Sequence, residues 1–342
     1  MRIRVRLALA VFLGLASRAQ AVCCPVPCNG CSLEWNTQLN VAVMDRQAAR
    51  MRLVPNIQFR GQARDFALVV PTPALPEFSL APAAIWTEVL QATQPVAVNN
   101  GSAVGFGCDS HYEVLAGPTS PSDGVTIHAQ QTLGGLQATV ISSSDAQSLV
   151  DWLAAHGYGL QPADAARFAP YVNRGWFFTA MRPDTTTSGG RMPPGGWNAQ
   201  VQPIVVSYAA DTFEVPLDLL AINSTAFAPI VVFAVDDHRM TLDGFTTDYA
   251  NRVSTAEFSA MQRMYPGLAS FLSPGRFLTR LQYNMTGSSP PQGSVLLQQA
   301  PTDAEFRRTQ RNFVGWAGVE PLALLALLLA ARPIRSPHRP RA

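Results

Sequence analysis

The 342-residue chain contains no lysine; all 25 of its basic residues are arginine. That absence excludes a Walker A loop, a Schiff-base lysine, pyridoxal phosphate attachment and a Ser-x-x-Lys nucleophile. Charge of either sign is scarce. Charged residues are 14% of the chain, against roughly 25% in ordinary domains. The formal net charge is only +2 and no run of like charge occurs. No nucleic-acid partner is indicated. There is no Gly-x-Ser-x-Gly, no His-Glu-x-x-His and no Gly-x-Gly-x-x-Gly. Those gaps do not exclude an enzyme, because the members of a triad can be dispersed in sequence.

Cysteine is sparse and unevenly placed. Cys23, Cys24, Cys28 and Cys31 fall within nine residues, and Cys108 is the fifth. In an oxidising compartment the default for all five is disulfide formation, which would tie down the mature N-terminus. Cys28-Asn-Gly-Cys31 also has Cys-x-x-Cys spacing, with Cys24 close by, but no second well-spaced pair follows, so a metal site is the weaker reading. No histidine follows Cys31 and no thioredoxin-like βαβ pattern follows the pair, so haem attachment and redox catalysis are not supported. An odd count leaves one thiol free or paired with another chain. No cofactor is implied.

What is present is concentrated at the two ends. Arg2, Arg4 and Arg6 precede a ten-residue apolar run, Leu7 to Ala16, and Ala19-Gln20-Ala21 supplies a small-x-small cleavage site. That order predicts a secretory signal peptide over 1–21, with Val22 as the mature N-terminus. A lipoprotein reading would acylate Cys23, but Val22 is a poor residue before a lipobox cysteine. Near the other end, residues 313–331 form a nineteen-residue apolar stretch interrupted by Glu320 and Pro321, with Arg332, Arg335, Arg339 and Arg341 behind it. Length and basic flank predict a transmembrane helix with its tail inside, residues 332–342. A core helix or a processed sorting tail remains open. The expected partners are therefore the membrane, through 313–331, and an envelope protein or ligand.

Between these ends lies an expected extracytoplasmic domain, 22–300, followed by a polar stalk, 301–312. Strands are predicted over Asn40 to Met44, Arg52 to Phe59, Asp65 to Val70, Val125 to Gln131, Gln137 to Ser142, Trp176 to Met181, Val201 to Tyr208, Phe213 to Leu219, Ile230 to Val235 and Arg276 to Met285. Pro55 suggests an edge position, and Gly61 suits a hairpin between the second and third of these strands. Helices are predicted over Pro82 to Thr93, from the Ser144-Asp145 cap to Gly157, over Pro162 to Phe168, over Ser254 to Phe271, and through the stalk from Thr302 to Asn312. Residues 94–124 and Pro183 to Asn198 read as loop. Many strands with a few inserted helices give an α+β class, mostly antiparallel, plus the C-terminal transmembrane helix.

This order of elements resembles a known family. It runs from the cysteine cluster through Asp65-Phe-Ala-Leu-Val-Val-Pro-Thr-Pro-Ala-Leu-Pro-Glu77 and Ile85-Trp86. Asp151-Trp-Leu-Ala-Ala-His-Gly-Tyr158 and Tyr171-Val-Asn-Arg-Gly-Trp-Phe-Phe178 follow, then Gln202-Pro-Ile-Val-Val-Ser-Tyr208 with Val215-Pro-Leu217. The series is similar, over about 22–235, to the bacterial domain of unknown function numbered 2330. The resemblance implies an exported protein, often with a C-terminal membrane segment. It transfers no functional residue.

Two local clusters carry possible chemistry. Cys108-Asp-Ser-His111 places a thiol and a base three residues apart, as a cysteine nucleophile requires; a disulfide or buried cysteine beside a solvated histidine is the plainer reading. Asp236-Asp237-His238 follows an apolar strand and has the ligand types for a hard cation; a polar turn is the plainer reading, and no metal is expected. His128 is isolated, and His156 falls at a helix C-terminus. Trp176, Phe177 and Phe178 suit core packing better than a sugar platform. The sequence favours a membrane-anchored extracytoplasmic binding or structural module over an envelope enzyme using a cysteine, either a hydrolase or a thiol-disulfide protein.

Overall fold

A computed structural model describes residues 38–56, 58–59, 68–98, 124–183, 199–200, 202–217, 219, 229–284 and 295–311. The five cysteines, His111, residues 1–21 and residues 313–331 lie outside the described residues. Among the described residues, no helix is long and apolar enough to cross a membrane.

The chain runs β1 (Gln38–Asp45), β2 (Arg50–Pro55), β3 (Gln58–Phe59), β4 (Leu68–Thr72), β5 (Glu77–Leu80), α1 (Ile85–Ala92), β6 (Val96–Val98), β7 (Val125–Leu133), β8 (Leu136–Ser143), α2 (Ala146–Ala155), α3 (Ala165–Val172), β9 (Phe177–Pro183) and β10 (Ala199–Gln200). It continues β11 (Ile204–Ala209), β12 (Glu214–Val215), β13 (Pro229–Asp236), β14 (Met240–Thr241), β15 (Thr246–Arg252), α4 (Thr255–Met264), α5 (Pro266–Ala269), β16 (Phe277–Asn284), β17 (Val295–Leu296), β18 (Gln298–Gln299), β19 (Phe306–Arg307) and β20 (Thr309–Arg311). The described chain falls into two compact units. The small one contributes β6 and β20, a parallel pair with Val96 opposite Thr309. Everything below concerns the large one.

Two sheets dominate it. The larger has eight strands in the order β19-β15-β16-β13-β1-β2-β11-β5, and the smaller has four in the order β4-β9-β8-β7. Every pairing in both is antiparallel except β1 with β13. The mostly antiparallel α+β class expected from the sequence is what the chain forms.

Side-chain alternation explains the layering. On β13 Ile230, Val232 and Ala234 join one apolar cluster, while Val231, Phe233 and Val235 join another. The first cluster also takes Leu68, Val70, Leu136, Ala138 and Met181 from the smaller sheet, so it is the seam between the sheets. The second is covered by α1, α4 and α5 through Ile85, Trp86, Val89, Met261 and Leu268. A third packs the outer face of the smaller sheet against α2 and α3, through Val69, Ile141, Phe178, Leu149, Trp152 and Phe168. The order is helices, sheet, sheet, helices. β13 is buried on both faces, which is why it reads as a continuous apolar run and not as an alternating one.

Local expectations held where short-range chemistry decides the conformation. The Asp145 carboxylate accepts from the Ser148 backbone N–H at 2.6 Å and starts α2. Ser254 and Glu257 form a reciprocal capping box on α4. Gly134 (φ 60°) and Gly135 (φ 79°) make the tight turn between β7 and β8.

Several expectations fail. Pro55 is not on an edge: β2 lies between β1 and β11, and Pro55 closes its end beyond the β11 register. Gly61 lies outside the described residues; among the described ones β2 pairs with β1 and β11, and β4 pairs with β9 in the other sheet, not with β2 or β3. The helix expected over Ser254 to Phe271 breaks at Tyr265 (φ −138°), where Pro266 lacks the N–H to continue it. The helix expected from Thr302 is extended chain, with Phe306 pairing to Ala250 and Arg307 to Tyr249. β5 and β15 were missed because their sequences, Glu-Phe-Ser-Leu and Thr-Thr-Asp-Tyr-Ala-Asn-Arg, carry too little apolar pattern without their neighbours.

Candidate functional site

The parallel strands β1 and β13 end side by side, and the sequence-predicted Asp236-Asp237-His238 cluster lies there. Its three side chains do not converge on a common point. Asp236 is fully buried and takes a two-pronged contact from Arg46, at 2.8 Å to Oδ1 and 2.7 Å to Oδ2. Its Oδ1 also accepts from the Asp237 backbone N–H at 2.6 Å. Asp237 faces the Arg276 guanidinium at 3.3 Å. Arg276 itself donates to the carbonyls of Met44 and Val235, closing the ends of both parallel strands. His238 Nδ1 lies 2.9 Å from Asp303 Oδ2, which also accepts from Arg252 at 2.6 Å. The Asp303 carboxyl is held below the usual range by the hydrogen bond from His238, with help from the Arg239 amide and the Arg252 charge.

Each acid here is thus matched by its own cation. No group of three or more metal-ligand side chains is placed to hold an ion among the described residues. Asp236, Asp237 and His238 each stand in an ion pair with a different partner. Proximity in sequence said nothing about the arginines that reach them: Arg46 just after β1, Arg252 at the end of β15 and Arg276 just before β16.

His156 caps the C-terminus of α2 as expected, stacked on Trp152 with ring centroids 3.7 Å apart. Its Nδ1 lies 2.7 Å from the Trp152 carbonyl oxygen. Trp176 and Phe178 are buried, as the core reading required. Arg174 lies over the Trp176 ring at 4.2 Å and pairs with Glu214 at 2.9 Å.

Phe177 differs from its neighbours. It is partly exposed and borders an open groove of about 650 Å³. Thr126 and His128 from β7, Ser142 and Ser143 from β8, and Asn173 after α3 line it with Phe177. His128 sits at a bulge, where β7 carries one residue more than β8 between Ile127 and Ala129. A bulge re-aims the side chain it carries. His128 Nε2 lies 2.7 Å from Ser142 Oγ, and its ring meets Phe177 edge-on at 4.9 Å. Ser143 Oγ is committed to the turn, accepting from the Asp145 backbone N–H at 3.2 Å and sharing its one hydrogen between the carbonyls of Gly124 at 2.9 Å and Asp145 at 2.8 Å. Ser142 and His128 therefore hold the groove's reactive polar atoms. No Asp, Glu or Arg lines it among the described residues.

A serine hydroxyl beside an imidazole is the first contact of a nucleophile–base pair. The third member, a carboxylate orienting the imidazole, does not contact His128 among the described residues. What the groove offers is groups that both donate and accept hydrogen bonds, beside one aromatic ring. The sequence read His128 as isolated and Ser142 only as a strand residue. The one available signal was the alternation that puts two β-strands around Gly134-Gly135, and it does not reveal the bulge.

No curated protein and no solved structure matches the chain. One family does: its description, "Uncharacterized protein conserved in bacteria (DUF2330)", matches residues 17–292. That span takes in the groove, the smaller sheet and every strand of the larger sheet but β19, and the chain belongs to this family.

Proposed function

We propose that this protein is an exported envelope module, tethered through residues 313–331, that binds an uncharged hydroxyl-rich ligand in the groove beside His128. The composition of the groove carries the reading. A charged ligand leaving water needs a counter-charge to offset its desolvation, and among the described residues the groove is lined by no Asp, Glu or Arg. Hydroxyls, an amide and an imidazole match the mixed donors and acceptors of a neutral saccharide, and Phe177 offers apolar surface to a sugar ring. Export and tethering are supported by the Arg2-to-Ala21 pattern and by the apolar stretch before Arg332.

Titration of the full-length protein with neutral and with anionic envelope oligosaccharides tests this. Binding of a neutral saccharide, weakened at least tenfold in His128→Ala, is the expected result. Anionic ligands binding equally well in wild type and His128→Ala would sink it.

The Ser142–His128 distance favours a second reading, an envelope hydrolase, in preference to one built on Cys108 and His111. Covalent labelling by a fluorophosphonate probe, lost in Ser142→Ala, would establish it; an unlabelled folded protein would exclude it.

A further inference from the structure

The four-stranded sheet ends on β7, and that edge is unlike the others. Among the described residues β7 pairs with β8 alone. It is nine residues long, and every residue from Thr126 to Thr132 is exposed. The opposite edge strand, β4, is buried throughout. The edges of the larger sheet are short, two residues in β19 and four in β5. Proteins normally protect a long edge with charge, proline, a bulge or a covering element. β7, Val-Thr-Ile-His-Ala-Gln-Gln-Thr-Leu, has no charged residue and no proline. Among the described residues its one protective feature is the bulge at His128.

The turn fixes which peptide groups face outward. A two-residue hairpin makes the flanking pair, Leu133 and Leu136, exchange hydrogen bonds. Alternation then turns Gln131 and Ala129 toward β8, and the peptide groups of Gln130 and Thr132 away from it. We propose that two copies of this chain pair through β7, antiparallel, about a two-fold axis at Gln131. Gln130 of one copy exchanges hydrogen bonds with Thr132 of the other, and the symmetry repeats the exchange.

A second copy is the occupant that the composition fits. A two-fold contact presents the same surface from both sides, so any charge on it would lie close to its own like. β7 carries none. One strand pair buries less than the ~800 Å² per partner of a stable complex. The dimer is therefore concentration-dependent, and confinement on a membrane would favour it.

The test uses the full-length protein. Gln130→Pro removes an outward N–H and no bond to β8, so the fold survives while pairing is blocked. Sedimentation velocity at high micromolar concentration should give twice the chain mass for wild type and the single mass for Gln130→Pro, with equal thermal midpoints. Across the axis the two Gln131 Cα atoms are about 4.5 Å apart, within the ~4.4–6.8 Å span of a disulfide. Gln131→Cys should then give an oxidant-dependent covalent dimer above the wild-type background, and Gln137→Cys, on β8, should not. A monomeric wild type overturns the proposal and leaves the edge to a strand from a different protein. A dimer that persists in folded Gln130→Pro, or cross-links equally through Gln137→Cys, also overturns it.

Discussion

Arg46→Met separates the ion-pair account of the Asp236 turn from a metal-binding one. Asp236 has no exposed side-chain surface, whereas Arg46 is 42% exposed. Removing one partner of a buried pair costs about 3–5 kcal/mol, because the remaining charge stays desolvated. Arg46 is half in water, and Asp236 keeps the Asp237 amide at 2.6 Å, so the cost falls just below that range, at about 2–3 kcal/mol. For a domain of this size each kcal/mol moves the thermal midpoint by about 2–4 °C. The expected drop is therefore about 4–12 °C, read by calorimetry or as a lower urea midpoint with unchanged slope. The sign of the coupling is a sharper test. Arg46→Met/Asp236→Leu should be more stable than Arg46→Met alone, because it removes the stranded carboxylate. Calcium or chelator should leave the wild-type midpoint unmoved. A drop of less than about 1 kcal/mol in Arg46→Met, or a midpoint that rises with calcium, would refute the ion-pair account.

Three further outcomes are expected. Asp145, Glu257 and Asp303 are all held below their ordinary carboxyl values of 3.8, 4.5 and 3.8, mainly by hydrogen bonds from Ser148, Ser254 and His238 respectively. Carboxyls lowered in the folded state stabilise it above the unfolded values and lose that effect as pH falls through the folded ones. The thermal midpoint should therefore be flat above about pH 5 and fall below about pH 4.5, less steeply in Asp303→Asn. Ser254→Ala removes the cap of α4 and should cost about 1 kcal/mol in urea unfolding; no change would mean that the helix is held by packing alone. Gly134→Ala places a Cβ 2.9 Å from Leu80 Cδ2 at a φ of +60°, and should cost at least about 1–2 kcal/mol; Gly135→Ala, with nothing within 4 Å of its Cβ, should cost less.

Sequence and tertiary structure decided different parts of this protein. The cap at Asp145, a helix starting at Ser254, the Gly134-Gly135 turn and the apolar strand β13 were legible in the sequence. Each depends on residues within one turn or one strand, where backbone sterics and side-chain alternation act locally. The family was legible too, because several short motifs recur in one order. Which sheet β4 joins, the two polar strands β5 and β15, and the extended course of 306–311 were not. Those depend on partners far along the chain: β4 on β9, β5 on β11, β15 on β16. The candidate site divides the same way. Asp236, Asp237 and His238 could be picked out by residue type, but their arginine and aspartate partners lie far along the chain and decided what they do. His128 and Ser142 are fourteen positions apart. A one-residue bulge in β7 goes with their meeting, and local pattern does not encode its place, because only the pairing with β8 defines it.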